Sequence, residues 1–255
     1  MLNFFKTQDD GVEVRLTNER RLDQALLKAG IEDPTSVTKL TISGTITRAD
    51  FKFIRKKMWK TLQELDISKA ALEEGKLKKG ALAHCFALTS VSVPHWLSEI
   101  SEGAFSNCIS LKSIELPKAV TKIGELAFWG CKSLTSIDIP NSVVELDFRA
   151  FNNCTGLISV DIPNSVVKIG GSAFGRCTGL VCVTIPDSVI EIGNGAFAGC
   201  TSLASINIPK TTVNIGSWIF DGCDPHVTVH PDNPEYTSID GKFYSRFSLA
   251  LQNKK

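Results

Sequence analysis

The sequence predicts a solenoid, a curved stack of short coils with a parallel β-sheet on its concave face and one short strand per coil. A unit of 23 residues recurs six times without gaps, and each copy carries a short alternating apolar segment that is followed by proline. Residues 1–60 lack this unit and show apolar residues at helical spacing, which predicts a helical N-terminal cap. A unit this short cannot enclose a core alone, so neighbouring units must stack.

The repeated unit reads P-x-x-V-x-x-I-G-x-x-A-F-x-x-C-x-x-L-x-x-I-x-I, as in "AFWGCKSLTSIDIP" and "AFAGCTSLASINIP". Equivalent residues of stacked units lie above one another, so each column of identical side chains becomes a ladder along the stack. We expect two such ladders in the core. Their members are Phe105, Phe128, Phe151, Phe174, Phe197, Phe220, Cys108, Cys131, Cys154, Cys177 and Cys200.

The strand and the bend of each unit can be placed from the pattern. Apolar residues at period two, such as Ile137 and Ile139, predict a short strand with one face inward. The following proline cannot extend a sheet ladder, so it ends the strand. A column of glycines predicts a bend at positive φ, with Asp147 replacing glycine in one unit. The glycines are Gly124, Gly170, Gly193 and Gly216.

Two helices are expected in the N-terminal part. "TNERRLDQALLKAG" places Leu22, Leu26 and Leu27 on one helical face before a stop at Gly30. Thr47 is the expected N-cap of a second helix. Its apolar positions are Phe51, Ile54, Met58 and Leu62.

The organisation that follows has four parts. Residues 1–60 form the helical cap with a first irregular strand at 40–42, and residues 61–93 form irregular repeats. Residues 94–231 hold the six regular units, and residues 232–255 form a C-terminal cap. Caps are needed because a bare end would expose the core and unpaired strand edges.

Charge and hydropathy exclude several classes of function. The chain has 28 basic and 27 acidic residues, a net charge of +1, so nothing draws it as a whole to nucleic acid or membrane. No segment approaches the roughly 18 apolar residues of a membrane span, and the start shows no signal-peptide pattern. The basic run at residues 55–57 is interpreted as the solvated face of a capping helix rather than a nucleic-acid site.

The eight cysteines are expected to be reduced. Seven recur in one ladder position, which gives each equivalent neighbours above and below rather than one disulfide partner. Cys182 breaks the series and is interpreted as an incidental replacement of serine on the outer face. "CDPHVTVH" has a spacing that could hold a metal, but Cys223 belongs to the ladder and a fourth ligand is missing. We therefore expect no metal and no cofactor.

The outward columns of the repeat strands are the candidate binding face. Three carboxylates in consecutive coils, Glu115, Asp138 and Asp161, favour a cation or a basic partner, and plain solvation of the sheet is the alternative. The remaining members of the two columns are Asp66, Ser92, Thr184, Asn207, Ser113, Ser136, Ser159, Cys182 and Ser205.

Two further surface features are candidates for contacts. Trp129 follows a core phenylalanine where other units have small or polar residues, so it is expected to face solvent as an aromatic contact. The column Val144, Val167, Ile190 and Val213 has a period that leaves its facing open; an outward column would suit self-association. The four histidines lie outside both outward columns, and no catalytic constellation can be argued from spacing, which predicts that the protein is not an enzyme.

The unit, L-x-x-I-x-I preceded by A-F-x-x-C and followed by P-x-x-V-x-x-I-G, resembles the BspA-type leucine-rich repeat. The resemblance covers residues 94–231 closely and extends weakly to "LQELDIS" at 62–68 and "VTKLTIS" at 37–43. It implies a leucine-rich-repeat solenoid and a surface or secreted bacterial protein that takes part in adhesion.

These observations lead to one functional hypothesis and one alternative. The hypothesis is a non-catalytic interaction or adhesion module of a microbial surface protein, which binds a protein or glycan through the concave sheet. The alternative is an intracellular leucine-rich-repeat scaffold located in the cytoplasm.

Overall fold

A parallel β-solenoid of about eight turns forms the molecule, as the repeats predicted. The computed structural model describes residues 11–252. Within these residues three α-helices occur, Leu22–Lys28 (α1), Arg48–Phe53 (α2) and Arg246–Gln252 (α3), with short 3-10 turns at Pro34–Ser36 and Glu73–Gly75 and a π-helical turn at Ile54–Met58. The strands are Val12–Leu16 (β1), Lys39–Ile46 (β2), Glu64–Asp66 (β3), Ala70–Leu72 (β4), Lys76–Leu77 (β5), Ser90–Ser92 (β6), Glu99–Ile100 (β7), Ser113–Ile114 (β8), Lys122–Ile123 (β9), Glu145–Leu146 (β10), Ser159–Asp161 (β11), Lys168–Ile169 (β12), Cys182–Thr184 (β13), Glu191–Ile192 (β14), Ser205–Ile208 (β15), Asn214–Ile215 (β16), His226–Val229 (β17), Tyr236–Ile239 (β18) and Lys242–Ser245 (β19).

Most coils contribute to two parallel sheets, and the first sheet is interrupted at residues 136–139, which form no strand. The first sheet contains the predicted strands, in the order β1-β2-β3-β6-β8, and continues along the stack as the pairs β11-β13 and β15-β17. The second sheet, which the sequence analysis missed, runs β5-β7-β9-β10-β12-β14-β16 and uses two residues of each coil. A strand of two residues is too short to show alternation of apolar and polar residues. Only an alignment of the repeats, which shows the same residue types at these positions in each copy, could have predicted these strands.

A tight turn joins the two strands of each coil. The Val143 N–H donates to the carbonyl of Pro140 at 3.0 Å, and the same bond recurs one period later between Val166 and Pro163. The serine of this turn bonds to the preceding coil, because the Ser165 hydroxyl donates to the Val143 carbonyl at 2.6 Å. The proline therefore ends one strand, as predicted, and the serine ties the turn to its neighbour.

The third side of each coil carries the phenylalanine ladder. Phe105, Phe128, Phe151, Phe174 and Phe197 are fully buried, and their rings stack with planes within 6° of one another. Ring centroids of neighbouring coils are 5.2 to 5.6 Å apart, more than the roughly 4.8 Å between paired strands. The ladder lies on the side of each coil that carries neither sheet. We call it the convex side.

Backbone bonds on the convex side form a second kind of ladder. Phe128 N–H donates to the Ala150 carbonyl and Gly130 N–H to the Asn152 carbonyl, both at 2.8 Å, so donors lie in one coil and acceptors in the next. Two residues of each coil adopt positive φ here, which aims successive donors in one direction. These residues form the columns Gly103, Leu126, Arg149, Ser172, Gly195, Trp218 and Asn107, Gly130, Asn153, Arg176, Gly199, Gly222.

The glycine column was predicted wrongly. Gly124, Gly170, Gly193 and Gly216 do not have positive φ, and neither does Asp147. Their need for glycine comes from close approach: a Cβ on Gly170 would lie 2.7 Å from the backbone carbon of Asp147 in the preceding coil. The left-handed residues lie a few positions later, where the chain tolerates other side chains.

The N-terminal part caps the stack with helices, as predicted. Phe51, Ile54, Met58 and Leu62 are buried, whereas Leu27 is 60% exposed, contrary to the expected helical face. Asp50 is buried and joins the starts of both helices, because its carboxylate accepts from Leu22 N–H and from Thr47 N–H, each at 2.9 Å.

The first strand was missed in the sequence. β1 pairs in parallel with β2 over Val12–Leu16, so the first sheet starts well before residues 40–42. Its alternating letters VEVRL carry the period-two signal, but no copy of the repeat unit surrounds them.

The C-terminal part ends in an antiparallel hairpin of β18 and β19 followed by α3. The buried Asn233 holds this part on the last coil: its amide donates to the carbonyls of Pro209 and Thr212 at 2.8 and 2.9 Å. Its side-chain oxygen accepts from Glu235 and Tyr236 N–H. One amide therefore satisfies four backbone groups at the junction.

Candidate binding face

The outward columns of the first sheet lie in register along the stack. Ser159 pairs with Cys182 and Asp161 with Thr184, while Ser205 begins the next pair of strands. All members of the predicted face are exposed except Asp66, which is half-buried. The Asp66 carboxylate accepts from Ser68 N–H at 2.8 Å, which gives it a structural role in a turn.

The three consecutive carboxylates are exposed and uncompensated. Glu115, Asp138 and Asp161 each point outward from a neighbouring coil. Within residues 11–252 none of them forms an ion pair or a side-chain hydrogen bond. Adjacent coils bring like charges within roughly 5 Å, so this column concentrates negative potential on the first sheet.

An open groove of about 1080 Å³ follows this column toward the proline turns. Glu115 and Asp138 line it together with His95 and Lys118, and a smaller groove of about 260 Å³ joins Asp138 to Asp161. In the described part of the chain, His95 makes no hydrogen bond to these carboxylates. The groove therefore brings two acids, a lysine and a histidine to one surface.

The second sheet has the opposite arrangement of charge, which the sequence analysis missed. Its outward column reads Lys76, Glu99, Lys122, Glu145, Lys168 and Glu191 in successive coils. Lys168 Nζ lies 3.5 Å from Glu145 and 3.4 Å from Glu191, and the two carboxylates raise the pKa of the lysine. The alternation of lysine and glutamate in this column could have been found from the sequence, because it is visible when the repeats are aligned.

The cysteine ladder is buried and hydrogen-bonded. The Cys154 thiol donates to the Phe128 carbonyl of the preceding coil at 3.1 Å, and every ladder cysteine from Cys108 to Cys223 repeats this bond. Burial raises the pKa of Cys85, Cys154 and Cys200 to about 12, so these thiols stay protonated. All eight cysteines are free, and Cys182 is exposed on the first sheet.

Trp129 is only partly exposed, whereas the sequence predicted a side chain that faces solvent. It is half-buried, and its indole N–H donates to Asn152 Oδ1 of the next coil at 3.2 Å. A Trp has a polar tip that seeks a partner, and the asparagine one period later supplies it. Trp218 and Trp96 are the exposed tryptophans among the described residues, with 76% and 37% of their surfaces accessible.

The valine column, left open by the sequence, points outward. Val144, Val167 and Ile190 are exposed, and Val213 is half-buried. They lie at the start of the second-sheet strands, away from the acidic column. Scattered exposed aliphatic residues are common on protein surfaces, and nothing in the described residues covers this stripe.

The basic run of the capping helix has a structural use. Arg55 donates to the carbonyls of Gly80 and Ala81 at 2.8 and 2.7 Å, and burial lowers its pKa. Lys56 and Lys57 are exposed beside it. In the coils that follow, the carbonyl equivalent to Ala81 accepts a backbone N–H, so Arg55 occupies one acceptor position at the first end of the convex ladder.

Residues 11–252 contain no group of three or more histidine, cysteine or acidic side chains placed to hold a metal ion. Cys223 keeps its ladder bond to Phe197, and His230 accepts from Asp232 N–H at 3.2 Å. Among the helices in this range, none combines the length and the apolar character of a membrane span.

Comparison with known proteins gives one family and several solved structures. The family model for the BspA type leucine rich repeat region matches residues 75–189 and 168–252. A leucine-rich repeat protein from T. pallidum is 27% identical, with a TM-score of 0.54, over 73% of this chain and 76% of that chain.

Two further structures are similar in sequence at 27% identity. One is a leucine-rich repeat protein from Bacteroides ovatus, with a TM-score of 0.46 over 72% of this chain and 58% of that chain. The other is a leucine-rich cell surface protein from Faecalibacterium prausnitzii, with a TM-score of 0.42 over 76% of this chain and 66% of that chain. The search of curated proteins gives no match.

Proposed function

The chain belongs to the BspA-type leucine-rich repeat family, and we propose that it is a non-catalytic adhesion or interaction module of a microbial surface or secreted protein. Its first-sheet face binds a partner, and the partner is a protein with a basic surface. The observation that carries this proposal is the run of exposed carboxylates at Glu115, Asp138 and Asp161, none of which forms an ion pair within the described residues.

The contrast with the second sheet supports a binding role for this column. On the outward column of the second sheet, lysines and glutamates alternate and form ion pairs with one another, as at Lys168. On the first sheet the charges accumulate with one sign beside an open groove. A row of one sign attracts a partner of the other sign and speeds its association.

A matched pair of variants tests this proposal. The triple variant Glu115→Gln, Asp138→Asn, Asp161→Asn removes three negative charges from the first sheet. The control Glu99→Gln, Glu145→Gln, Glu191→Gln removes three from the second sheet, so both proteins have the same net charge. In a screen against matrix proteins and glycans, we expect the first variant to lose at least about tenfold in affinity for basic proteins and the control to bind nearly as the parent does.

Other outcomes decide between partners. Binding that weakens as salt rises fits a basic protein, because exposed charges are screened. Glycan binding that survives the triple change would replace the protein partner by a sugar. Equal losses in both variants would show that total charge matters and would overturn the assignment to the first sheet.

Cys182 supplies a native reporter within the same face. Its thiol is exposed in the serine column, while the six buried ladder cysteines are inaccessible. A bound partner should slow labelling of Cys182 by a thiol reagent, and labelling that a saturating partner leaves unchanged would place the contact elsewhere.

Location is tested separately from binding. The surface location follows the family resemblance, so the protein in its own cells should be accessible to protease added outside intact cells. A protein protected in intact cells and cleaved only after lysis would favour the intracellular scaffold.

A further inference from the structure

The convex ladder has an open end at the last regular coil. In each earlier coil, three backbone N–H groups donate to carbonyls of the following coil, as Gly195, Phe197 and Gly199 do at 2.9, 3.0 and 2.6 Å. The equivalent donors one period later are those of Trp218, Phe220 and Gly222. Within residues 11–252, these three N–H groups have no hydrogen-bond acceptor.

The last coil keeps the conformation that aims these donors outward. Trp218 and Gly222 have φ of 56° and 71°, as the left-handed residues of earlier coils do. The internal turn bonds are also present, from Asp221 N–H to Trp218 and from Cys223 N–H to Phe220. The edge therefore continues the same interface by which each upstream coil holds its neighbour.

The other end of this ladder is partly closed. Its acceptor positions are the carbonyls of Lys79, Ala81 and Ala83, and Arg55 donates to the central one, Ala81. A second copy stacked head to tail could therefore not form all three bonds. Two donor edges cannot pair with each other either, so a different chain that offers three carbonyls is the better occupant.

A groove of about 710 Å³ separates this edge from β19. Trp218, Phe220, Phe243 and Tyr244 line it. Phe243 lies edge-on to Phe220 at 6.2 Å and fills the position of the next ladder phenylalanine.

Charge at the rim favours a cation. Asp224 pairs with Lys242, whereas Asp221 is exposed and makes no ion pair in the described part of the chain. The indole of Trp218 beside it is 76% exposed and offers a face for a cation–π contact.

We propose that this edge is a second binding site, which captures a turn-forming peptide segment of a partner protein. Alternate carbonyls of the segment accept from the N–H groups of Trp218, Phe220 and Gly222, and a basic side chain packs over Trp218 next to Asp221. Backbone bonds of this type give affinity, and the side-chain contacts give selectivity. The site is distinct from the first-sheet face and does not depend on it.

The chain itself supplies a probe with the required chemistry. In residues 147–154, "DFRAFNNC", Arg149 occupies the column of Trp218. The probe is a capped synthetic copy of this segment with alanine at the position of Phe151, because Phe243 already fills that slot, and serine at the position of Cys154. A copy with alanine also at the position of Arg149 is the matched control peptide.

The test measures amide exchange by NMR on the whole protein. In the free protein, the amides of Trp218, Phe220 and Gly222 should exchange at least about 100-fold faster than those of Gly195, Phe197 and Gly199. The probe should slow and shift the first three amides. Trp218→Ala should weaken probe binding about tenfold, while Trp96→Ala, at another exposed tryptophan, should leave it unchanged.

Each alternative result overturns the proposal. Strong protection of the three amides in dilute free protein would show that the chain covers its own edge. Protection that grows with protein concentration, with dimers in sedimentation, would make a second copy the occupant. Equal binding of both peptides, or shifts confined to other residues, would remove the site.

Discussion

The two sheets of the solenoid share one backbone spacing and carry opposite charge patterns. On the second sheet, Lys168 lies within 3.5 Å of carboxylates on both neighbouring coils. On the first sheet, Glu115, Asp138 and Asp161 follow one another with no cation between them. Two like charges roughly 5 Å apart in water repel by about 0.8 kcal/mol, so the stack tolerates the acidic column rather than gaining stability from it. Charges on the second sheet form ion pairs between coils, whereas the carboxylates on the first sheet form none and remain available to bind a partner.

The largest expected effect comes from removing the core that both sheets share. Phe174 is fully buried between two stacked rings, so Phe174→Ala should lower the free energy of unfolding by about 3–5 kcal/mol. Chemical denaturation measures this change. Phe148→Ala, at an exposed phenylalanine outside the ladder, is the control and should cost well under about 1 kcal/mol. Similar losses in both would place the ladder outside the core.

The stability of the core should depend on pH in the alkaline range, because its buried thiols lose their protons only at high pH. Burial raises the pKa of Cys154 to about 12, above the roughly 8.5 of an unfolded thiol. The folded state therefore holds protons that the unfolded state releases, so stability is complete below about pH 8.5 and falls as pH rises toward 12. Thermal melts across this range should show the fall, and Cys154→Ala should make it shallower. A flat profile in the parent would contradict the buried-thiol account.

A reciprocal charge exchange tests the comparison of the two sheets directly. Lys168→Glu places three carboxylates in successive coils of the second sheet and should cost about 1 kcal/mol, measured by denaturation at low salt. High salt should remove most of that cost. Asp138→Lys builds the alternating pattern on the first sheet and should leave stability equal or slightly higher while it weakens binding of basic proteins. A strongly destabilised Asp138→Lys protein would contradict the division of roles.

The smallest effect is expected for neutral changes in the acidic column. Asp138→Asn together with Asp161→Asn should shift the free energy of unfolding by less than about 0.5 kcal/mol, because both side chains are exposed and unpaired within the described residues. Thermal unfolding is a sufficient measurement. A large loss would make these carboxylates structural.

The periodic part of the fold could be predicted because each column reports the same environment several times. One Phe or Cys is ambiguous, but six at a spacing of 23 residues predict a ladder. The glycine column was also visible, yet its cause was not. A glycine that avoids a clash and a glycine at positive φ look alike in sequence, and the distance from Gly170 to Asp147 of the preceding coil decides between them.

Features outside the repeat were harder to predict. Arg55 looked like part of a solvated basic run because its acceptors, Gly80 and Ala81, are 25 and 26 residues away. Trp129 looked exposed because its partner Asn152 lies in another copy of the unit. Both contacts cross between coils at positions where the copies differ, so no column repeats the signal. The open edge at Trp218 could not be predicted from the repeat either, because it depends on which coil is the last one.

The bonds between coils have a consequence for synthesis and for chain length. The thiol bond of Cys154 spans 26 residues and the hydroxyl bond of Ser165 spans 22, so each layer closes soon after its residues leave the ribosome. Such short separations favour rapid folding, and assembly can advance layer by layer from the N-terminal end. Adding or losing one whole layer preserves every remaining bond, so the molecule can lengthen or shorten in steps of a single period without redesigning its interior.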